Sequence, residues 1–400
     1  MLTLGNCAWT HVSIKLCDMD SEVATVEKQD NISLLRQEWS LLASIATTVL
    51  FLLFGATWLA DLSNLVWFAF ILVWLFAVIL LSAFAIVHHA ESLAIILGEP
   101  FGTLVLTLSV IGVEVLMISA VMLTGEGKPA IARDTMFSVV MILLGGMTGV
   151  SLLLGGLRHH EQTYNLQGAN AFLGLIIPLA VLGLVLPNFT TTTAGPTLSP
   201  FQSVFTSLMS IGIYGIFLAV QTKRHRDFFV APKSDEAAED DVHLYEEHEV
   251  KSTAYHAIFL VLYILPLVIL AKQLAVPLDY GTRALHAPPV LSGFLVAILI
   301  LAPEAISAVR AAIRNQLQRS VNILLGSVLA TIGLTIPAVL TISLITGKTV
   351  YLGLGAVDTI LLLLLLTLST ITFSNSRTNA LIGAVHLLLF LAYLMLMFEN

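Results

Sequence analysis

The stretch ILILAPEAISAVR, Ile298–Arg310, decides how this chain is read. Its first six residues suit a lipid bilayer, and the seventh is a carboxylate, Glu304, set directly behind Pro303. A charged side chain at mid-bilayer costs about 2.5–3.5 kcal/mol on insertion scales. It persists where it faces a polar cavity, a cation or a proton, or where it is protonated and holds helices together by hydrogen bonds. Pro303 cannot donate to the carbonyl of Leu299, and its ring pushes that carbonyl aside. The outcome is either an ordinary proline kink or a hard oxygen ligand one turn before the carboxylate.

The whole chain has the same character. Of its 400 residues, 57% are hydrophobic and 11% charged, and the mean hydropathy is +0.93. Soluble domains carry about 25% charged residues, so this is an all-α polytopic membrane protein. Eleven apolar segments are long enough to cross, at about 40–60, 65–87, 101–123, 136–157, 171–187, 203–221, 254–272, 289–309, 320–345, 351–373 and 379–397. Lys and Arg set the orientation. With a cytoplasmic N-terminus, 13 of the 18 fall on the cytoplasmic side, and Lys128, Arg133, Lys272, Arg283 and Lys348 fall outside. An N-in, C-out chain with an odd number of spans follows, and a bacterial inner membrane is its expected home.

Glu304 has a counterpart. GTLVLTLSVIGVEVLMISAVML (102–123) carries one acid, Glu114, as LSGFLVAILILAPEAISAVRAAI (291–313) carries Glu304. MILLGG (141–146) follows the first and NILLGS (322–327) the second, identical at four of six positions. The copies are the third and eighth spans, so they cross in opposite directions. That is the inverted-topology repeat of many secondary transporters, with its site near the midplane at the repeat interface. The expected organisation is a polar N-terminal arm (1–39), an extra first helix (40–63), one five-helix half (64–221), a charged cytoplasmic linker (222–253) and the second half (254–400). Glu114 and Glu304 are the candidate cation and proton ligands. Ser327 and Asn322 are candidate neutral oxygens, and Gly145, Gly146 and Gly326 allow close helix approach.

At these residues the chain resembles the calcium/cation antiporter superfamily, with its two glutamate-bearing repeats, and most closely the bacterial sodium–potassium/proton and calcium/proton antiporters. LGEPFGTLVLTLSVIGVEVLMISA, RDTMFSVVMILLGGMTGVSLLLGG, LAPEAISAVRAAIRNQLQRSVNILLGSVLATIGLTIP and FSNSRTNALIGAVHLLLFLAYLM carry the resemblance, which runs from about residue 40 to the end. It implies ten core helices in two inverted halves, with Glu114 and Glu304 alternately holding cation and protons, and Ser327 at a polar repeat position. The first copy departs by having Gly146 there. Plant-type calcium/proton exchangers carry asparagine three residues before each glutamate, where this chain has Ile111 and Leu301. Fewer neutral oxygens favour exchange of Na⁺ or K⁺ as well as Ca²⁺.

Other polar features have two readings each. VHHAESLAIILGEP (87–100) is either a proton-passing access vestibule with His88, His89, Glu91 and Glu99, or a polar loop at the headgroups. Asp134, at the outer start of the fourth span, is a candidate for the opposite mouth, and His386 is read as a buried structural histidine. The linker begins basic, as at a membrane surface, and continues with a run of acids that is either a low-affinity cation-attracting or pH-sensing patch or, the favoured reading, a solvated flexible chain. The arm is no signal peptide. Its Cys7 and Cys17 fit no metal or redox spacing, and Met19 is a second candidate start. No cofactor and no nucleic acid is expected; the partners are Ca²⁺, Na⁺, K⁺, H⁺ and lipid. A cation channel is the rival function, but channels favour symmetric rings from several subunits. An intramembrane enzyme is a weaker rival, because HExxH, GxSxG and paired catalytic aspartates are missing.

Overall fold

The computed structural model of the chain describes residues 37–98, 101–124, 129–231 and 251–399. Most of the N-terminal arm, with Cys7, Cys17 and Met19, lies outside the described residues, as do Glu99, Lys128 and the acidic part of the linker. Among the described residues, ten helices are long and apolar enough to cross a membrane, and an eleventh is shorter. They are α1 (Trp39–Trp58), α2 (Leu65–Leu97), α3 (Phe101–Thr124), α4 (Ile131–His159), α5 (Leu166–Asn188), α6 (Pro200–Arg224), α7 (Thr253–Ala284), α8 (Val290–Ile313), α9 (Leu317–Thr346), α10 (Ala356–Thr372) and α11 (Ala380–Glu399). The eleven expected spans correspond to these one for one.

Helix ends follow local chemistry. Asn64 accepts from the backbone of Val66 and Trp67 to start α2, and Ser199 forms a capping box with Gln202 to start α6. The polar run from His88 onward was expected between spans, but it continues α2 through Leu97. Alanine, leucine and glutamate there favour helix, and the chain leaves it only at Gly98, whose φ of +60° suits glycine. At 33 and 32 residues, α2 and α7 extend about 50 Å, well beyond a bilayer core of about 30 Å.

Packing repeats itself around an approximate two-fold. Helix α2 lies along α7, the first helices of the two halves. Helix α4 packs on α8 and α11, and α9 packs on the corresponding α3 and α6. The connections give the inversion directly. At the face where the linker emerges, Gln162–Thr163 of the α4–α5 connection pairs antiparallel with Arg377–Thr378 of the α10–α11 connection. At the opposite face, Leu352 and Gly353 of the α9–α10 connection donate to Pro196 of the α5–α6 connection. The same junction is thus built twice, once on each side.

Small residues permit the closest crossing. A β-carbon on Gly149 of α4 would stand 2.8 Å from Leu387 Cγ, and one on Gly383 of α11 would overlap the backbone of Leu153. Gly145 and Gly146 were expected to bring helices to the site; their space is instead filled by Phe390 of α11. Helices α4 and α9 each contain a π-helical turn, at Met141–Met147 and Thr331–Thr335. In α4 it falls on the repeated motif, whereas in α9 it follows the motif.

Candidate functional site

Glu114 on α3 and Glu304 on α8 line one cavity of about 860 Å³ between the halves. Gln221 near the end of α6, Arg226 and Phe229 just beyond it, Arg314 just after α8 and Arg319 at the start of α9 also line it, all toward the linker. The cavity therefore opens toward the linker face. Glu304 is half-buried against it, while Glu114 is 2% exposed and lies deeper.

Both carboxylates lean on α9. Ser327 donates its hydroxyl to Glu304 Oε2 at 2.7 Å, and Thr331 donates to Glu114 Oε2 at 2.9 Å. Glu114 Oε1 is buried with no hydrogen-bond partner, and so is the hydroxyl of Thr335. Ser327, Thr331 and Thr335 are spaced by four, which on a helix makes one stripe. Aligning NILLGS with MILLGG puts Gly146, Val150 and Leu154 at the matching places of α4. The hydroxyls therefore come from one half only. A carboxylate removed from water does not stay bare; it takes a proton or pairs with a cation. Two such groups with adjacent hydroxyls make a site for hard cations or for protons. Among the described residues, no group of three or more His, Cys, Asp and Glu side chains is arranged to hold a metal ion.

The remaining candidates separate in space. Asn322 lines the cavity nearer the mouth, but its amide is engaged: Nδ2 donates to Phe229 O at 2.7 Å and Oδ1 accepts from Gln318 at 2.9 Å. Glu91 lines the cavity, within electrostatic reach of both Glu304 and Arg319. His89 does not line it. That side chain is buried on the far side of α2, against His256 of α7. A helix turns successive residues by 100°, so His89 and Glu91 point in opposed directions. Asp134 lies at the opposite face, 6% exposed, where Arg133 holds it at 2.7 Å and ties it to Gly353 O at 2.9 Å. Ser138 and Tyr393 close the same region with a 2.8 Å hydrogen bond. His386 contacts the carbonyl of Leu144 at 2.7 Å and Thr372 Oγ1 at 2.9 Å, joining α11 to α4 and α10. Leu299 is fully buried and is not part of the cavity lining, although Ile300 and Leu301 are. Sequence reading missed Thr331 and Thr335, whose signal was the four-residue spacing from Ser327. It also missed the arginines at the mouth.

Two inverted helical halves, each presenting one glutamate to a shared cavity, define an alternating-access type of membrane transporter. The model of the family described as sodium/calcium exchanger protein matches residues 67–223 and 255–399, one stretch on either side of the linker. The chain belongs to that family. It is 43% identical over 320 residues to the sodium-potassium/proton antiporter ChaA of Escherichia coli (strain K12), covering 80% of this chain and 86% of that protein. It is 23% identical over 318 residues to the Ca(2+)/H(+) antiporter of Aphanothece halophytica, covering 77% of this chain and 84% of that one. Among solved structures, native YfkE superposes with a TM-score of 0.69 at 20% identity, covering 90% of this chain and all of that one. The H⁺/Ca²⁺ exchanger CAX gives 0.63 at 16%, covering 90% and 88%. Those two likenesses establish the fold.

Proposed function

We infer that the protein is a secondary active cation/proton antiporter, exporting Ca²⁺ and/or Na⁺ (K⁺) in exchange for H⁺ by alternating access. The carrying observation is the pair Glu114 and Glu304, contributed by opposite halves to one cavity that opens at the linker face. In our reading these carboxylates hold either protons or a cation, never both. A cation entering past Glu91 displaces protons from Glu304 and Glu114 into the linker-side water. Ser327 and Thr331 offer the cation a hydroxyl lone pair while their protons stay donated to the ionised carboxylates. The loaded halves then rock, the contacts of Arg133, Asp134 and Gly353 part, and the cation leaves at the opposite face. Protons return by the reverse route. Two glutamates contributed by inverted halves of one chain to a shared cavity support exchange over a channel, which favours a symmetric ring from several subunits.

The excess of Lys and Arg toward the linker supports a cytoplasmic linker and N-terminus and an external C-terminus, in a bacterial inner membrane. The halves are then residues 64–221 and 254–400, with α1 outside the repeat. The test uses everted vesicles carrying a proton gradient, with Ca²⁺, Na⁺ or K⁺ added separately. Each transported cation should collapse the gradient and saturate. Glu304→Gln and Glu114→Gln should each abolish this while still inserting. Wild-type rates in either variant would remove that glutamate from the mechanism.

A further inference from the structure

A second cluster of titratable groups lies away from the transport cavity, where α1, α2 and α7 meet near the linker face. His89 Nδ1 of α2 and His256 Nδ1 of α7 are 3.0 Å apart, at 1% and 5% exposure. His89 Nε2 is 3.5 Å from Glu38 Oε2, just before α1. Glu38 also accepts from Tyr263 at 2.8 Å and from Tyr255. His89 Nε2 and His256 Nε2 are both buried with no hydrogen-bond partner, the 3.5 Å approach to Glu38 being an ion-pair distance. The other groups facing the pair are His88 on α2 and Lys251 just before α7.

The chemistry of that contact is restrictive. A hydrogen bond between two Nδ1 atoms needs one donor and one acceptor. The tautomers that suit every neighbour run in one direction. His89 carries its proton on Nε2, facing the Glu38 carboxylate, and its bare Nδ1 accepts from His256 Nδ1–H. The chain ends at the lone pair of His256 Nε2. A proton added to His89 puts N–H groups on both Nδ1 atoms and breaks the contact. A proton added to His256 creates a buried imidazolium with no acceptor, beside Lys251 and His88. Either event destabilises the junction of α2 and α7, which are the paired first helices of the two halves.

We propose that the His89–His256 pair is a second proton-binding site, separate from Glu114 and Glu304, whose protonation from the linker face unlatches α2 from α7 and slows exchange. The partial burial of Glu38 would raise its pKa, but the neighbouring His89 ring and hydrogen bonds from Tyr255 and Tyr263 outweigh this and hold it at about 2, so the anchor stays charged wherever histidine titrates. The transport cycle proposed above does not need this site, and it does not follow from that cycle.

The experiment measures tracer exchange of one cation for itself, using the ion that the vesicle assay identifies. It is run at saturating concentration on both faces and equal pH, so no proton gradient contributes. Between pH about 7.5 and about 5.5, where histidine changes charge, the wild-type maximal rate should fall about tenfold. His256→Asn supplies a non-titrating amide in place of Nδ1–H and should hold its rate within about twofold. Competition at the carboxylates would instead move the half-saturating concentration. A wild-type rate that does not fall, or a fall kept in full by His256→Asn, overturns the proposal. Amide hydrogen exchange on the wild type needs neither the variant nor transport. Corrected for intrinsic rates, exchange across residues 84–97 and 253–263 should rise about tenfold over the same interval. Unchanged protection there would equally overturn it.

Discussion

The hydroxyl of Thr331, in the second half, donates across 2.9 Å to Glu114, in the first. The partner of Glu304, Ser327, lies on the same helix one turn earlier. The fold is two-fold, but the hydroxyls are not: α9 serves both carboxylates, while α4 offers Gly146 and Val150 at the matching positions. Movement of α9 is therefore felt at both glutamates together. In the proposed cycle this links loss of a proton at one to the state of the other.

Thr331→Val keeps the shape of the side chain and removes the hydroxyl. An unpaired buried acceptor costs about 1–3 kcal/mol. In our reading the half-saturating cation concentration should rise about tenfold, because the same oxygen is lost to the bound cation. Cation titrations of wild type and variant in vesicles measure this directly. Equal curves would mean that Thr331 only packs.

Cation and proton share Glu114 and Glu304 in the proposed cycle, so each excludes the other. The half-saturating cation concentration should fall as pH rises, and level off once protons no longer occupy the site. Saturation curves at several pH values between about 6.5 and 9 test this, a range above the ordinary carboxylate value of about 4.3. A concentration independent of pH would separate the proton path from the cation path.

Gly383→Ala forces a methyl group into the backbone of Leu153, which has no rotamer with which to move away. Overpacking of this kind costs about 1–3 kcal/mol. The melting temperature of the purified protein should fall. A smaller loss is expected for Gly326→Ala, whose β-carbon would meet only Phe172, at 3.7 Å. Equal melting temperatures for the two variants would contradict the close α4–α11 crossing.

Glu38 contributes to stability in acid. Burial acts to raise its pKa, but the neighbouring His89 ring and hydrogen bonds from Tyr255 and Tyr263 hold it at about 2, against an ordinary 4.5. The unfolded chain therefore takes up the proton first as pH falls. The contribution is complete above about 4.5 and is lost progressively toward 2. Wild type should lose more thermal stability between pH 5 and pH 3 than Glu38→Gln does. Parallel losses would show that the carboxylate is not held by this cluster.

Much of this was legible in the sequence because it depends on counting. A bilayer demands apolar runs of a set length, so eleven spans could be read directly from hydropathy. A glutamate in such a run must have a purpose, and an odd number of spans between Glu114 and Glu304 fixes their opposed directions. Helix ends were less legible. The run through His88, His89 and Glu91 reads as a break by polarity, yet local propensity continues the helix to Gly98. Ser327 was visible from its place in the repeated motif. Thr331 was missed, because its four-residue spacing from Ser327 gains meaning only once Ser327 is known to face a carboxylate.

Composition and spacing by themselves determined the membrane class, the inverted repeat and the two carboxylates, because these follow from solvent, period and parity. Only the tertiary structure decided which groups meet. It set His89 against His256 and Glu38, away from the cavity, while Glu91 two residues on faces Glu304. It gave the space beside Gly145 and Gly146 to Phe390, and it bound Asp134 to Arg133 at the face opposite the linker. A one-dimensional pattern tells how far apart residues stand along a helix. Which neighbour each one faces depends on helix rotation and crossing, and those are set by the packing of all eleven helices at once.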